Sequence, residues 1–307
     1  MKCLVTATKG DVGRALVGIV RSSFPEWSLY GCDRSSEVQK DSLFLEHLLS
    51  VDATNTDYVN WLERCIGKYA IDLVIPGSDA EIMAISKSGG LSVEVIMPNK
   101  SAVVIGSEKI LTYRFLKENG LPVPQSALID DNIDFDFPFI VKPNMGRGSR
   151  DIEVCSDAAQ LAELRRLYPN SIAQEFLHPS SEEMTCAVIR TKSGQIGVLA
   201  LRRRIRNGAS VWAQVVRDKE IFDYCRAIAE RIQLRGSINI QLINTVEGPK
   251  AFEINARFSS TVGLRHKLGF TDLVWAIQDQ FLEIPVQLFD PNHGIVANKE
   301  DEWIIEE

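Results

Sequence analysis

Glu253, Asn255 and Arg257 stand at alternate positions in Lys250-Ala251-Phe252-Glu253-Ile254-Asn255-Ala256-Arg257. That alternation reads as a strand, with Phe252, Ile254 and Ala256 on one face and the three polar side chains on the other. A carboxylate and an amide oxygen are hard ligands of the kind Mg²⁺ takes. A guanidinium is a fork for phosphate. The preceding run, Ser237 to Ile243, also alternates and carries Asn239 and Gln241 on its polar face. Thr245 to Pro249 supplies turn residues, so the two runs form a hairpin. A turn centred near Glu247 sets Gln241 opposite Glu253 and Asn239 opposite Asn255, gathering four oxygen-bearing side chains on one patch. The competing interpretation is a plain solvated hairpin face.

A second constellation lies upstream. Phe137 to Pro143 reads as a strand that ends on Lys142 and runs into Asn144-Met145-Gly146-Arg147-Gly148-Ser149-Arg150. A glycine loop of this kind presents backbone N–H groups to phosphate, and Lys142 beside it is a point charge for the same group. Arg202-Arg203-Arg204 with Arg206 marks a strand-to-loop exit that either holds an acidic substrate or is an exposed basic edge. Gly77-Ser78-Asp79-Ala80-Glu81 follows a buried strand, where ligands sit in open α/β sheets. Asp79 and Glu81 there either touch a substrate amine or serve the start of a helix. No Ser-His-Asp or Cys-His arrangement is present.

Composition narrows the classes. The chain has 307 residues, enough for two or three domains, and a net charge of −7, against the basic surface of a nucleic-acid binder. No apolar run reaches the ~18–20 residues of a transmembrane helix, and the N-terminus lacks a signal-peptide layout. The 6 cysteines are scattered, which predicts reduced, buried thiols in a cytoplasmic protein; none lies near a histidine, so zinc is not expected.

The elements that must position these groups begin with a strand over residues 2–7, a glycine turn with Gly10 and Gly13, and a strand ending at Asp33. This resembles a Rossmann start with an incomplete fingerprint; the turn serves either a nucleotide or close helix–strand packing. A helix follows Asp57 with Tyr58, Trp61, Leu62 and Cys65 on its apolar stripe, then a strand from Ile71 to Pro76. Pro98 to Gly106 reads as a connector, and Ser107 as the N-cap of a helix ending near Gly120. Further on come a helix after Ser156-Asp157, a strand from Ser171 to Leu177, and a hairpin of Met184–Arg190 with Ile196–Leu201. A helix from Asp218 to Gln233 and a long helix from Val262 to Phe281, interrupted near Gly269, complete the body. The acidic tail adds an edge strand.

The order of these elements resembles the ATP-grasp superfamily, particularly the large subunit of carbamoyl phosphate synthetase. The segments that carry the resemblance are the Lys109 helix ending in GLPVP, FPFIVKPNMGRGS, AQEFL…EEMT and NIQLI…AFEINARFSST. It implies an α/β fold, α+β in its C-terminal part. A Rossmann-like pre-ATP-grasp domain over residues 1–105 would precede a two-lobed ATP-grasp domain over 106–295. The small lobe would fall at about 125–178, and 296–307 would be the acidic tail. It implies an ATP-dependent ligase that activates a carboxylate as an acylphosphate and passes it to an amine, or else an ATP-binding protein that has lost catalysis and serves regulation or assembly. By position, Lys109 and Lys142 would contact ATP phosphates and Gly146, Arg147, Gly148 and Ser149 would form the phosphate lid. Gln174, Glu175, Phe176 and Leu177 would lie along the adenine, and Glu183, or its neighbour Glu182, would bind the ribose. Gln241, Glu253 and Asn255 would hold one or two Mg²⁺ ions, with Mn²⁺ as an alternative, and Arg257 with Lys142 would act on the transferring phosphate. The partners would be small-molecule acids and amines, with no nucleic acid and no membrane; a homodimer through the N-terminal domain fits this frame. Arg150-Asp151 departs from the further glycine of many members, and a single grasp unit argues against a complete carbamoyl phosphate synthetase.

Overall fold

Short apolar runs at the N-terminus build a parallel sheet. The strands are β1 (Lys2–Val5), β2 (Ser28–Asp33), β3 (Glu46–Leu49), β4 (Leu73–Ile75) and β5 (Glu94–Val95), in spatial order β3-β2-β1-β4-β5. Helices α1 (Asp11–Ser23), α2 (Tyr58–Tyr69) and α3 (Asp79–Ser88) cover it. In this computed structural model residues 1–35, 44–146, 152–177, 183–206, 209–298 and 304–305 are described. Gly13 explains the glycine turn by packing: a Cβ there would stand 2.1 Å from the Ala7 carbonyl oxygen, so only glycine lets α1 lie this close.

Two short helices, α4 (Lys100–Ser107) and α5 (Lys109–Glu118), lead out of this layer. The expected connector from Pro98 to Gly106 is therefore largely helical, and Ser107 closes α4 rather than capping α5; Glu108, in extended conformation, separates the two. Val103-Val104-Ile105 has weak helix propensity. The helix forms because Ala102 and Val103 are buried and because Gly106 lets it press on the strand behind, where a Cβ would meet the Ile254 oxygen at 2.7 Å.

A small antiparallel sheet follows: β6 (Ser126–Leu128), β7 (Phe139–Pro143), β8 (Glu153–Cys155) and β9 (Ser171–Glu175), ordered β6-β9-β7-β8 and backed by α6 (Ala158–Leu167). Asp157 caps α6 by accepting the Gln160 N–H, as its sequence predicts. Phe139 and Val141 face the core of this lobe with Cys155, Leu164 and Ala173, so Ile140 and Lys142 face the other way.

The large antiparallel sheet contains β10 (Glu183–Arg190), β11 (Ile196–Arg206), β12 (Ala209–Val216), β13 (Gly236–Thr245) and β14 (Gly248–Asn255). Helix α7 (Lys219–Ile232) covers one face, packing Ile221, Cys225 and Ile228 on Cys186, Val198 and Ile240. Helices α8 (Val262–Lys267) and α9 (Asp272–Gln280) pack on the other through Val262, Leu264 and Ile277. The long helix expected here is split at Gly269, whose φ of +90° ends α8. Strands β15 (Val296–Asn298) and β16 (Ile304–Ile305) extend the sheet beyond β12, in the order β14-β13-β10-β11-β12-β15-β16. All 6 cysteines are free and buried. Among the described residues no helix is long and apolar enough to cross a membrane.

Candidate functional site

The hairpin of β13 and β14 pairs Asn239 with Asn255 and Gln241 with Glu253, the register the sequence predicts. It does so across a bulge. From the turn to Leu242↔Ala251 the pairing is regular, and it resumes one residue later at Gln241↔Glu253, which leaves Phe252 as the extra residue. Phe252 is thus not on the core face with Ile254, as strict alternation predicts; Ala251 and Ile254 fill that face. Phe252 shares a cavity with Glu253, and its ring lies 4.9 Å from the Lys142 ammonium.

That cavity, of about 460 Å³, lies between the small sheet and the large one. It brings together Lys109, Lys142, Gly146, Gln174, Glu175, Phe176, Leu177, Glu183, Gln241 and Glu253, ten residues singled out from the sequence across a span of 145 positions, 109 to 253. Arg147, Gly148, Ser149, Arg150, Asp151 and Glu182 lie outside the described residues. The cavity's apolar walls, Ile140, Met145, Ile152 and Ile243, were not among the expected residues; Ile140 and Ile243 share strands with polar ones, Met145 and Ile152 lie just outside β7 and β8, and apolar residues carry no distinctive signal in a sequence.

Local structure explains the placements. Lys142 follows Ile140 by two on β7, and Ile140 sits opposite Gln174 on β9, so all three share a face. Asn144 ties the end of this strand to α5: its side-chain oxygen accepts the Ile110 N–H and its amide donates to Glu108. Lys109, the first residue of α5, donates through Nζ to the Gly146 carbonyl at 3.2 Å. Glu175 accepts the Gln125 N–H at 3.0 Å and Gln174 donates to Ser126, so the outer strand pair is held by its own site residues. Burial draws the Lys142 ammonium down from 10.5 to about 8, a fall that Glu253 partly offsets and Lys109 adds to.

Gln241 and Glu253 also line a second, polar cavity of about 990 Å³ with Asn239, Asn255, Arg203 and Arg257. Its far wall is the Gly10 turn and the loop carrying Gly77, Ser78 and Glu81. Of the basic run, Arg203 faces this cavity and pairs with Glu183 at 3.1 Å. Arg204 is exposed and lies over Trp212. Arg257 donates from Nε to both oxygens of Asp79 at 2.8 Å, from Nη1 to the Phe258 carbonyl and from Nη2 to Asn255. Glu81 is buried, donates its backbone N–H to Ser78 and is held above the ordinary carboxylate range by burial. The loop after Arg257 is fixed by a wholly buried pair: Arg265 donates to Asp272 at 2.7 and 2.8 Å and also to Ser259 and Thr261.

The donor set fits a hard cation shared with phosphates. Glu253 offers a carboxylate, Gln241 and Asn255 amide oxygens. Among the described residues no group of three or more His, Cys, Asp or Glu side chains makes a self-sufficient metal cage, so ligand oxygens would complete the shell.

Comparison with known proteins finds partial relatives and structures of like fold. Carbamoyl-phosphate synthase of Methanobrevibacter smithii is 26% identical over 122 residues, covering 36% of this chain and 33% of that protein. The chain spans between 30% and 50% of the length of the three curated relatives it matches. Among solved structures, N5-carboxyaminoimidazole ribonucleotide synthetase from Thermus thermophilus superposes with a TM-score of 0.76 at 14% identity, over 96% of this chain and 82% of that one. The biotin carboxylase domain of Hydrogenobacter thermophilus 2-oxoglutarate carboxylase, solved with MgADP, ADP and bicarbonate, gives 0.73 at 15% identity, over 96% and 73%. These likenesses are of fold. The ATP-grasp domain model matches residues 106–261, just over half of the 307, and takes in α5, the small lobe and the β13–β14 hairpin: this chain belongs to the ATP-grasp family.

Proposed function

We infer that the chain is an ATP- and Mg²⁺-dependent carboxylate–amine ligase, akin in kind to the carbamoyl phosphate synthetase large subunit. One observation carries this: Gln241 and Glu253 line both the cavity between the sheets and the polar cavity beside it. A nucleotide in the first would end its phosphates at these two residues, and an acid in the second would reach the same point.

The residues divide the work. Lys109 and Lys142 hold phosphate charge, and Gln174 to Leu177 with Phe252 bed the base. Gln241, Glu253 and Asn255 would hold Mg²⁺, which when bound neutralises phosphate charge; Mn²⁺ is an alternative. Arg203 and Arg257 face the acid. A carboxylate oxygen attacks the γ-phosphorus and ADP leaves. The amine nitrogen then attacks the acyl carbon, the C–N bond forms, the C–O bond to phosphate breaks, and phosphate departs with the electron pair and one proton. An ammonium substrate releases its other proton to solvent. Such chemistry asks the protein for alignment and charge neutralisation rather than a nucleophile.

ADP release measured over a matrix of carboxylates and amines tests this. Turnover that needs one acid and one amine together is the expected result. Tight Mg-ATP binding with no turnover across the matrix would favour an ATP-binding regulatory or assembly protein instead.

A further inference from the structure

A third cavity, of about 900 Å³, opens at the same strand end. It shares Glu253 and Asn255 with the polar cavity and Lys109 and Gly146 with the cavity between the sheets. One wall is a single face of α3, on which Asp79, Met83 and Lys87 follow at helical spacing. At roughly 1.5 Å per residue this face runs about 12 Å. Asp79 marks its inner end, because its carboxylate holds Arg257, and Lys87 its outer end. Between them Ile82, Met83 and Ala84 from α3, Val59 from α2 and Val103 from α4 supply apolar lining, with Thr54, Asn55, Thr56 and Asn60 beside them. The polar cavity next to it is lined instead by Lys9, Arg34, Arg203 and several acids.

We propose that this cavity is the acceptor site and takes a primary amine on an apolar body, its ammonium on Asp79 and its hydrocarbon along α3. The proposal rests on the ligase reading and adds the acceptor's chemical class to it. A carboxylate has about four acceptor positions. The Asp79 side chain is 45% exposed and accepts from Arg257, so an ammonium there shares the carboxylate with the guanidinium. The amine nitrogen then sits beside the guanidinium that faces the transferring phosphate, within reach of an acyl group formed there. Hydrocarbon gains by leaving water against Ile82, Met83 and Val59. The acid has its own guanidiniums in the polar cavity, so the two substrates enter by chemically distinct doors.

Isothermal titration of the full chain saturated with Mg-ADP tests this, with n-hexylamine, methylamine and 1-hexanol as probes. Each buried methylene is worth about fourfold in affinity. With three or more buried, hexylamine binds at least ~50-fold tighter than methylamine. Hexanol, lacking the charge for Asp79, binds at least ~10-fold weaker than hexylamine. Ala84→Trp fills the cavity and weakens hexylamine at least ~10-fold while Mg-ADP affinity stays at the parent value; Val59→Trp does the same from α2 and replaces it if Ala84→Trp fails to fold. Hexylamine that binds no tighter than methylamine, or that ignores both filled variants, overturns the proposal. A parent protein that fails to bind Mg-ADP overturns the ligase reading instead, so the two failures are told apart.

Discussion

Replacing Lys142 with Met separates what the ammonium gives a ligand from what it costs the fold. The residue is 5% exposed, and burial lowers its ammonium from 10.5 to about 8 even with Glu253 near. Each pH unit of that depression is worth ~1.4 kcal/mol, so holding the charge inside costs the ligand-free fold about 3 kcal/mol at pH 7. Between pH 8 and 10.5 the unfolded chain keeps a proton that the folded chain has released. Stability from this group therefore rises with pH across that window and is flat below it. Met keeps the stem's volume but gives up the contact with the Phe252 ring at 4.9 Å, worth ~1 kcal/mol. The net expectation is that Lys142→Met stabilises the ligand-free protein by ~2 kcal/mol at pH 7, a gain that fades toward pH 10.5. Urea unfolding of both proteins at pH 7 and pH 10 measures it. Titration with Mg-ATP at pH 7 should show affinity reduced at least ~30-fold, the loss of one charge-assisted contact of ~2 kcal/mol. A variant less stable than its parent at pH 7, or one that binds Mg-ATP equally well, would refute the placement of this ammonium as a buried phosphate ligand.

Three other substitutions probe separate parts. Glu253→Gln keeps shape and hydrogen bonding but removes the one carboxylate of the candidate metal set; ADP release should fall by ~100-fold or more while the melting temperature holds or rises slightly. Phe252→Ala should weaken Mg-ATP about 10-fold and lower ligand-free stability by only ~1–2 kcal/mol, where a core phenylalanine would cost ~3–5 kcal/mol, so chemical denaturation decides between cavity wall and core. Arg265→Met strands the Asp272 carboxylate in the interior and should cost ~3–5 kcal/mol, and adding Asp272→Leu should recover most of that loss in the same unfolding assay.

The polar half of the site was legible because charge and amide groups are rare on a strand face, and period two sorts them without ambiguity. The alternation gave the pairing of Gln241 with Glu253 and of Asn239 with Asn255, and a strand end gave Lys142 its place beside the cavity between the sheets. The apolar half was not legible. Ile140, Ile243 and Phe252 look like any core residue until the sheets that face them are known. Helix α4 escaped notice because its β-branched run argues against a helix and its cause, the approach of Gly106 to β14, lies 148 positions downstream at Ile254. Asp79 showed itself as an acid at a ligand-prone loop, but its pairing with Arg257 joins two distant segments, and no local pattern encodes that.

The bulge in β14 has a consequence for how this region tolerates changes of length. Leu242↔Ala251 and Gln241↔Glu253 flank Phe252 without using it. Deleting that one residue would close the ladder and leave Ala251 and Ile254 inward and Glu253 and Asn255 outward, as they are now. Position 252 thus behaves as an insertion that adds a ring to the cavity wall, whereas removing Ala251 or Glu253 instead would also close the ladder but put Phe252 in the core position or in the place of the carboxylate. A homologous chain one residue shorter here would keep Glu253 and Asn255 in register, and alignments that slide Glu253 to avoid a gap at this point would misplace the candidate metal set.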